Sequence, residues 1–154
     1  MYLSSHFTLR EFVSSQTAIR RGIKNIPTEC DVARMRDLCE FVLEPVRAKF
    51  GPVVISSGFR CHKLNKAIGG APSSQHTTGE AADIEVPGVP NDVIARWIAA
   101  KLDFDQVIRE FPVPGDPMSG WVHVSYRNRA DNRRSVLTAR RVRGKTVYMP
   151  GIVT

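Results

Sequence analysis

The chain of 154 residues is 42% hydrophobic and 24% charged, an ordinary globular balance with enough length to bury a core. No apolar run approaches the roughly 18 residues of a membrane span, apolar residues are spread too evenly for large-scale disorder, and three cysteines without a CxxC pair offer no disulfide framework. The net charge of +7 is concentrated: Arg127, Arg129, Arg133, Arg134, Arg140, Arg141, Arg143 and Lys145 face only Asp131 within 127–154, a terminal block that predicts an anionic partner. Cys30, Cys39 and Cys61 read as buried free thiols.

In chain order, Thr8 with Glu11 three residues on reads as a capped short helix over 9–13, and Ser15 to Arg21 as a second short turn stopped by Gly22. Val32, Met35, Leu38, Cys39, Val42 and Val46 recur at helical spacing, so Thr28 to Phe50 is the main helical stretch, kinked or split by Pro45. Val53 to Ser57 reads as a central strand, Cys61 to Ile68 as a brief helix, and 71–80 as a loop. A strand over 81–86 is followed by a helix capped by Asn91, and then by strands over 104–111 and 121–126. A hairpin around Gly144 is expected in 132–149. Helices first and strands later predict an α+β fold, a mostly antiparallel sheet with helices packed on one side. One domain is expected over 1–154, with the basic block at about 127–154 as its extension or hairpin.

Strand alternation puts Asp83 and Glu85 opposite Ala82, Ile84 and Val86, and Trp121, His123 and Ser125 opposite Val122, Val124 and Tyr126. Each strand thus has one apolar face and one face with a metal-capable side chain. His76 precedes Asp83 by seven residues across a loop containing Gly79, so it can fold back over the start of that strand. Two imidazoles and a carboxylate suit Zn²⁺ and leave a fourth position open for water.

The words around these residues carry a resemblance. Ser74-Gln75-His76-Thr77-Thr78-Gly79-Glu80-Ala81-Ala82-Asp83-Ile84 resembles the SxHxxGxAxD signature of the D-Ala-D-Ala carboxypeptidase and L-alanyl-D-glutamate endopeptidase group of zinc metallopeptidases. Trp121-Val122-His123-Val124-Ser125 is similar to that group's second histidine motif, and Ser56-Ser57-Gly58-Phe59-Arg60 with Asn65 and Gly69-Gly70 to its upstream SSGYR…N…GG segment. Phe7-Thr8-Leu9-Arg10-Glu11-Phe12 looks like the opening of short phage-encoded members.

The resemblance implies a hedgehog/DD-peptidase-like fold, Zn²⁺ held by His76, Asp83 and His123, and hydrolysis of a peptide bond in the peptidoglycan stem peptide. It implies that Arg60 lies near the site and pairs with a peptide carboxylate, the alternative being a structural ion pair beside the sheet. Ser74 and Gln75 are candidates for substrate contact or for capping their own loop. Glu85 is expected to be solvated or bonded to a ligand histidine. Many relatives carry an acid three positions before the last histidine; here Gly120 stands there. The general base must come from elsewhere: Glu110, brought beside His123 by strand pairing, or Asp116 in the loop between, the weaker candidate.

No basic segment followed by an apolar one opens the chain, so no Sec-type signal peptide is expected. A phage product acting at the bacterial cell wall from the host cytoplasm or the virion would then need a holin or delivery with the particle. The basic block would meet anionic wall polymer or phage structural proteins. Gly120 and that block also allow a virion- or tail-associated binding module with little or no activity. A nucleic-acid partner rests on the block alone, without a groove-reading motif.

Overall fold

The computed structural model describes residues 1–153; Thr154, the last residue of the basic block, lies outside the described residues. Thr8 caps α1 (Leu9–Val13) through a capping box with Glu11, and Ser15 caps α2 (Gln16–Arg21), which Gly22 ends in a left-handed conformation. The long helical stretch is divided in three. α3 (Glu29–Leu38) passes into a π-helical turn (Cys39–Leu43), in which the Glu44 amide reaches the Cys39 carbonyl, and α4 (Glu44–Phe50) follows with Pro45 in its first turn. Pro45 has no amide to continue the regular ladder, and the widened turn before it absorbs that gap.

β1 (Val54–Ser57), α5 (His62–Ala67), a 3₁₀ turn (Gln75–Thr78) and β2 (Ala81–Glu85) precede α6 (Asn91–Lys101). β3 (Gln106–Glu110), β4 (Trp121–Ser125), β5 (Ser135–Val142) and β6 (Lys145–Pro150) complete the chain. The six strands form one sheet in the order β1-β2-β4-β3-β5-β6, antiparallel at every pair except β3–β5. The expected α+β architecture is therefore present. The expected hairpin is β5–β6, turned by Arg143 and Gly144, both with positive φ (51° and 76°), the conformation that a tight two-residue hairpin requires.

One face of the sheet carries the core. Ala82, Ile84, Val107, Val122 and Val124 are buried against Phe12, Met35, Leu38, Val42, Ile94 and Ile98 of the helices. The apolar alternation in β2 and β4 produces this one-sided packing and leaves the opposite face free for polar side chains.

Three local expectations are corrected. β1 is an edge strand, not a central one, and Val54 is half exposed, because its apolar run covers only one neighbour. Asn91 is the first residue of α6 rather than its cap; Pro90 takes that position, and the Asn91 side-chain amide donates instead to the carbonyls of Met118, Ser119 and Gly120 at 3.2–3.3 Å. Of the three free thiols only Cys39 is buried; Cys30 is exposed on α3 and Cys61 is half-buried. Among the described residues no helix is long and apolar enough to cross a membrane.

Candidate active site

β2 and β4 are neighbours, and their register sets Asp83 directly opposite His123 on the face turned away from the helices. His76 enters from the 3₁₀ turn, whose first amides are capped by Ser74: the His76 amide donates to Ser74 Oγ at 3.3 Å. Gly79, left-handed at φ 78°, then returns the chain into β2. The result is a group in which one ligand atom from each of His76, Asp83 and His123 lies within 4.8 Å of the others, all three side chains being buried.

The protonation pattern shows what the group can hold. His76 Nδ1 lies 2.7 Å from the Gly58 carbonyl. A carbonyl only accepts, so Nδ1 carries the hydrogen and Nε2 keeps its lone pair. That lone pair points at Asp83 Oδ1, 3.3 Å away, while His123 Nδ1 stands 3.0 Å from the same oxygen. Two acceptors facing each other in a buried place need a cation or a proton between them. Burial pushes the His76 imidazole below its ordinary pKa, against the pull of Asp83, so the proton is the poorer solution. Burial also opposes ionisation of Asp83, but the two histidines outweigh it and hold the carboxyl well below the usual carboxylate range. A buried carboxylate with two imidazoles, one of them oriented by a backbone carbonyl, is a donor set that fits zinc.

Gly58 supplies that orienting carbonyl because it has no side chain. A Cβ there would stand 2.7 Å from backbone atoms of Phe12, whose carbonyl accepts the Phe59 amide at 2.7 Å. The SSG segment is thereby packed against α1 with its carbonyl turned to His76.

Glu110 ends β3 opposite Trp121, with Ile108 opposite His123, so Glu110 is the diagonal neighbour of His123 on the same face. Its carboxylate accepts no hydrogen bond among the described residues. Burial, helped by the Asp83 charge and opposed by His123 and Arg60, raises its pKa to about 6. Asp116 is elsewhere: it accepts from the Met118 amide at 3.1 Å within its own loop and lines a separate hollow with Arg109 and Asp92.

Gly120 has a steric cause. It sits at φ 63°, and a Cβ there would stand 1.9 Å from the Glu110 carbonyl oxygen. No residue with a side chain can occupy the position without moving β3.

Arg60 follows β1 and lines the cleft, its amide donating to the His76 carbonyl at 3.0 Å. Its Nη2 donates to Ser74 Oγ at 3.4 Å, its buried Nε has no partner, and it makes no ion pair among the described residues, which sets aside the structural ion pair. Burial pushes its pKa down, against the charges of Asp83 and Glu110. Gln75 also lines the cleft, but its amide nitrogen donates to Asp105 Oδ2 at 2.9 Å and ties the 3₁₀ turn to the entry of β3. Glu85 bonds to neither histidine.

The basic block is partly consumed inside the fold. Arg133 clasps Asp105 at 2.7 Å and 3.0 Å. Arg134 donates to the carbonyls of Leu102 and Ala99 and stacks over the Phe104 ring, and Arg140 holds the Val153 carbonyl. Arg129, Arg143 and Lys145 have no protein partner among the described residues.

The three metal-capable residues, Arg60 and Glu110 open onto one cleft of about 480 Å³. Two of its residues, Thr146 and Tyr148, were not foreseen from the sequence, although the alternation Thr146-Val147-Tyr148 on a hairpin strand marks them as sharing a face. No curated protein matches the chain closely enough to count as a relative. A family model described as Peptidase M15 matches residues 5–125, a stretch that holds His76, Asp83, His123, Glu110 and Arg60 and stops before the β5–β6 hairpin. The chain belongs to the Peptidase M15 family of metallopeptidases.

Proposed function

We propose that this chain hydrolyses a peptide bond in the stem peptide of bacterial peptidoglycan, with zinc held by His76, Asp83 and His123. Bound there, zinc supplies Lewis acidity that makes water a nucleophile near neutral pH and polarises the scissile carbonyl. Glu110 takes the proton of the attacking water on its carboxylate and delivers it to the leaving amine nitrogen. A base needs to be ionised yet able to hold a proton briefly, and a carboxyl raised to about 6 meets both conditions at neutral pH. Arg60 orients the substrate: a guanidinium without a carboxylate partner at the cleft wall suits a peptide carboxylate, which its planar fork binds in two places. Ser74 braces Arg60 and caps the turn bearing His76, and Gln75 holds that turn to β3.

The observation that carries this reading is the convergence of two imidazole nitrogens and a carboxylate oxygen within 4.8 Å, in one cleft with a glutamate that has no partner among the described residues. The similarity of residues 7–12 to the opening of short phage-encoded members supports a wall-lytic role for a phage product. Purified protein supplied with zinc is expected to release stem-peptide fragments from wall preparations, seen by mass spectrometry, and a chelator is expected to stop the release. A folded, zinc-loaded protein that releases nothing would leave the binding-module reading in its place.

A further inference from the structure

The residues of the cleft are spread across the strands of the sheet. Arg60 follows β1 in the chain and its amide bonds to the His76 carbonyl, Asp83 is on β2, His123 on β4, Glu110 on β3, and Tyr148 on β6, reached across Ala139 of β5. Register fixes this spread: Glu110 pairs with Ala139, and Ala139 with Tyr148. Residues paired across a ladder share a face, so Tyr148 shares the face of Glu110 with only a methyl group between them. Thr146, two residues earlier, pairs with Arg141 on that same face and also lines the cleft.

Three details show that this wall is open to a ligand. Tyr148 is 55% exposed and its side chain makes no hydrogen bond among the described residues. Burial and the nearby Glu110 charge both raise its phenol pKa, which agrees with its place beside the base. Arg133, which lines the cleft with Thr146 and Tyr148, is paired with Asp105, so this wall offers two hydroxyls and one aromatic face to a ligand.

The cleft is also lopsided. From β4 to β6 is three strand spacings, about 14 Å, the span of about four residues of extended peptide. Arg60 lies on the side of the metal-capable group, its amide donating to the His76 carbonyl at 3.0 Å.

Resting on the peptidase reading above, we propose that the β5–β6 hairpin, which lies outside the part of the chain matched to the family, is an extended subsite. It takes a peptide segment of about four residues running from the scissile bond away from Arg60, held by Tyr148 and Thr146.

The test uses the full-length, zinc-supplied protein and two soluble stem-peptide fragments that share the carboxylate end, one with a single residue and one with four on the far side of the cleaved bond. Wild type is expected to favour the longer fragment by tenfold or more in kcat/KM. Tyr148→Ala is expected to lose that preference, its kcat/KM falling tenfold or more on the longer fragment, chiefly through KM, and far less on the short one; Thr146→Ala is expected to lose part of it. A Tyr148→Ala protein that keeps the preference, or slows on both fragments alike, overturns the subsite. If wild type cleaves neither fragment nor intact wall, the peptidase reading fails first. The subsite is then read from calorimetric binding of the longer fragment to wild type and Tyr148→Ala: equal affinity, or no binding to either, overturns it as well.

Discussion

Glu110→Gln is expected to reduce kcat by about 10²- to 10⁴-fold while the protein keeps its zinc, because the amide is nearly isosteric, cannot accept the water's proton, and lies outside the donor set. The same substitution has a stability signature of opposite sign. In the metal-free fold Glu110 has a pKa of about 6 against an ordinary 4.5, so folding favours its protonated form. That contribution is complete below about 4.5 and is lost as pH rises through about 6, leaving wild type with an unfavourable buried carboxylate at neutral pH. Metal-free Glu110→Gln should therefore be more stable than metal-free wild type at pH 7 by on the order of 1 kcal/mol, after discounting for partial solvent screening. The difference should vanish below pH 4.5. Chemical denaturation at two pH values with chelator present measures it. Equal stability at both would mean that Glu110 is solvated, and with it the case for a tuned base would weaken.

Arg109→Met is expected to destabilise the fold by about 3–5 kcal/mol, read as a fall in Tm of roughly 6–20 °C. Arg109 is fully buried beneath the site, on the face of β3 opposite Glu110. Its Nε donates to Asp92 Oδ1 at 2.6 Å, Nη1 reaches the carbonyls of Glu110 and Trp121 at 3.3 Å and 3.5 Å, and Nη2 reaches that of Pro117 at 3.5 Å. One guanidinium thus ties α6 to both strands that carry Glu110 and His123 and to the loop joining them. Removing it leaves the Asp92 carboxylate buried without a counter-charge and three carbonyls short of a donor. Arg109→Met combined with Asp92→Leu should recover a substantial part of the loss, because most of the cost is the orphaned charge rather than the missing attraction. Equal Tm for the single and double variants would contradict this account.

Much of the site was legible because it is written in short words. The caps at Thr8 and Ser15 are local, and so is the alternation that turns Asp83 and His123 away from the core. The pairing of β3 with β4 follows from two nearby strands joined by a turn-rich loop, which brought Glu110 into view and which the register places beside Trp121. What escaped reading depends on contacts between distant segments. The parallel β3–β5 pair joins residues about thirty apart without a helical crossover, and no local pattern announces it. Thr146 and Tyr148 become cleft residues only through that pairing. Arg109 occupies an inward position of β3, where an apolar residue would be expected, and its partner Asp92 lies on another element. The basic block read as an open cationic surface because charge counts carry no information on partners, whereas Arg133 and Arg134 spend theirs on Asp105, Leu102 and Ala99. β1 read as central because three consecutive apolar residues look alike in the middle and at the edge of a sheet.

The most direct test is elemental analysis of the folded protein after dialysis against limiting zinc. Wild type and Glu110→Gln are expected to hold about one zinc per chain, because two imidazoles and a carboxylate converge within 4.8 Å of one another. His76→Ala, Asp83→Ala and His123→Ala are expected to hold essentially none while keeping the fold by circular dichroism. A folded wild type that retains no zinc, or an Asp83→Ala protein that retains as much as wild type, would contradict the site on which the whole account stands.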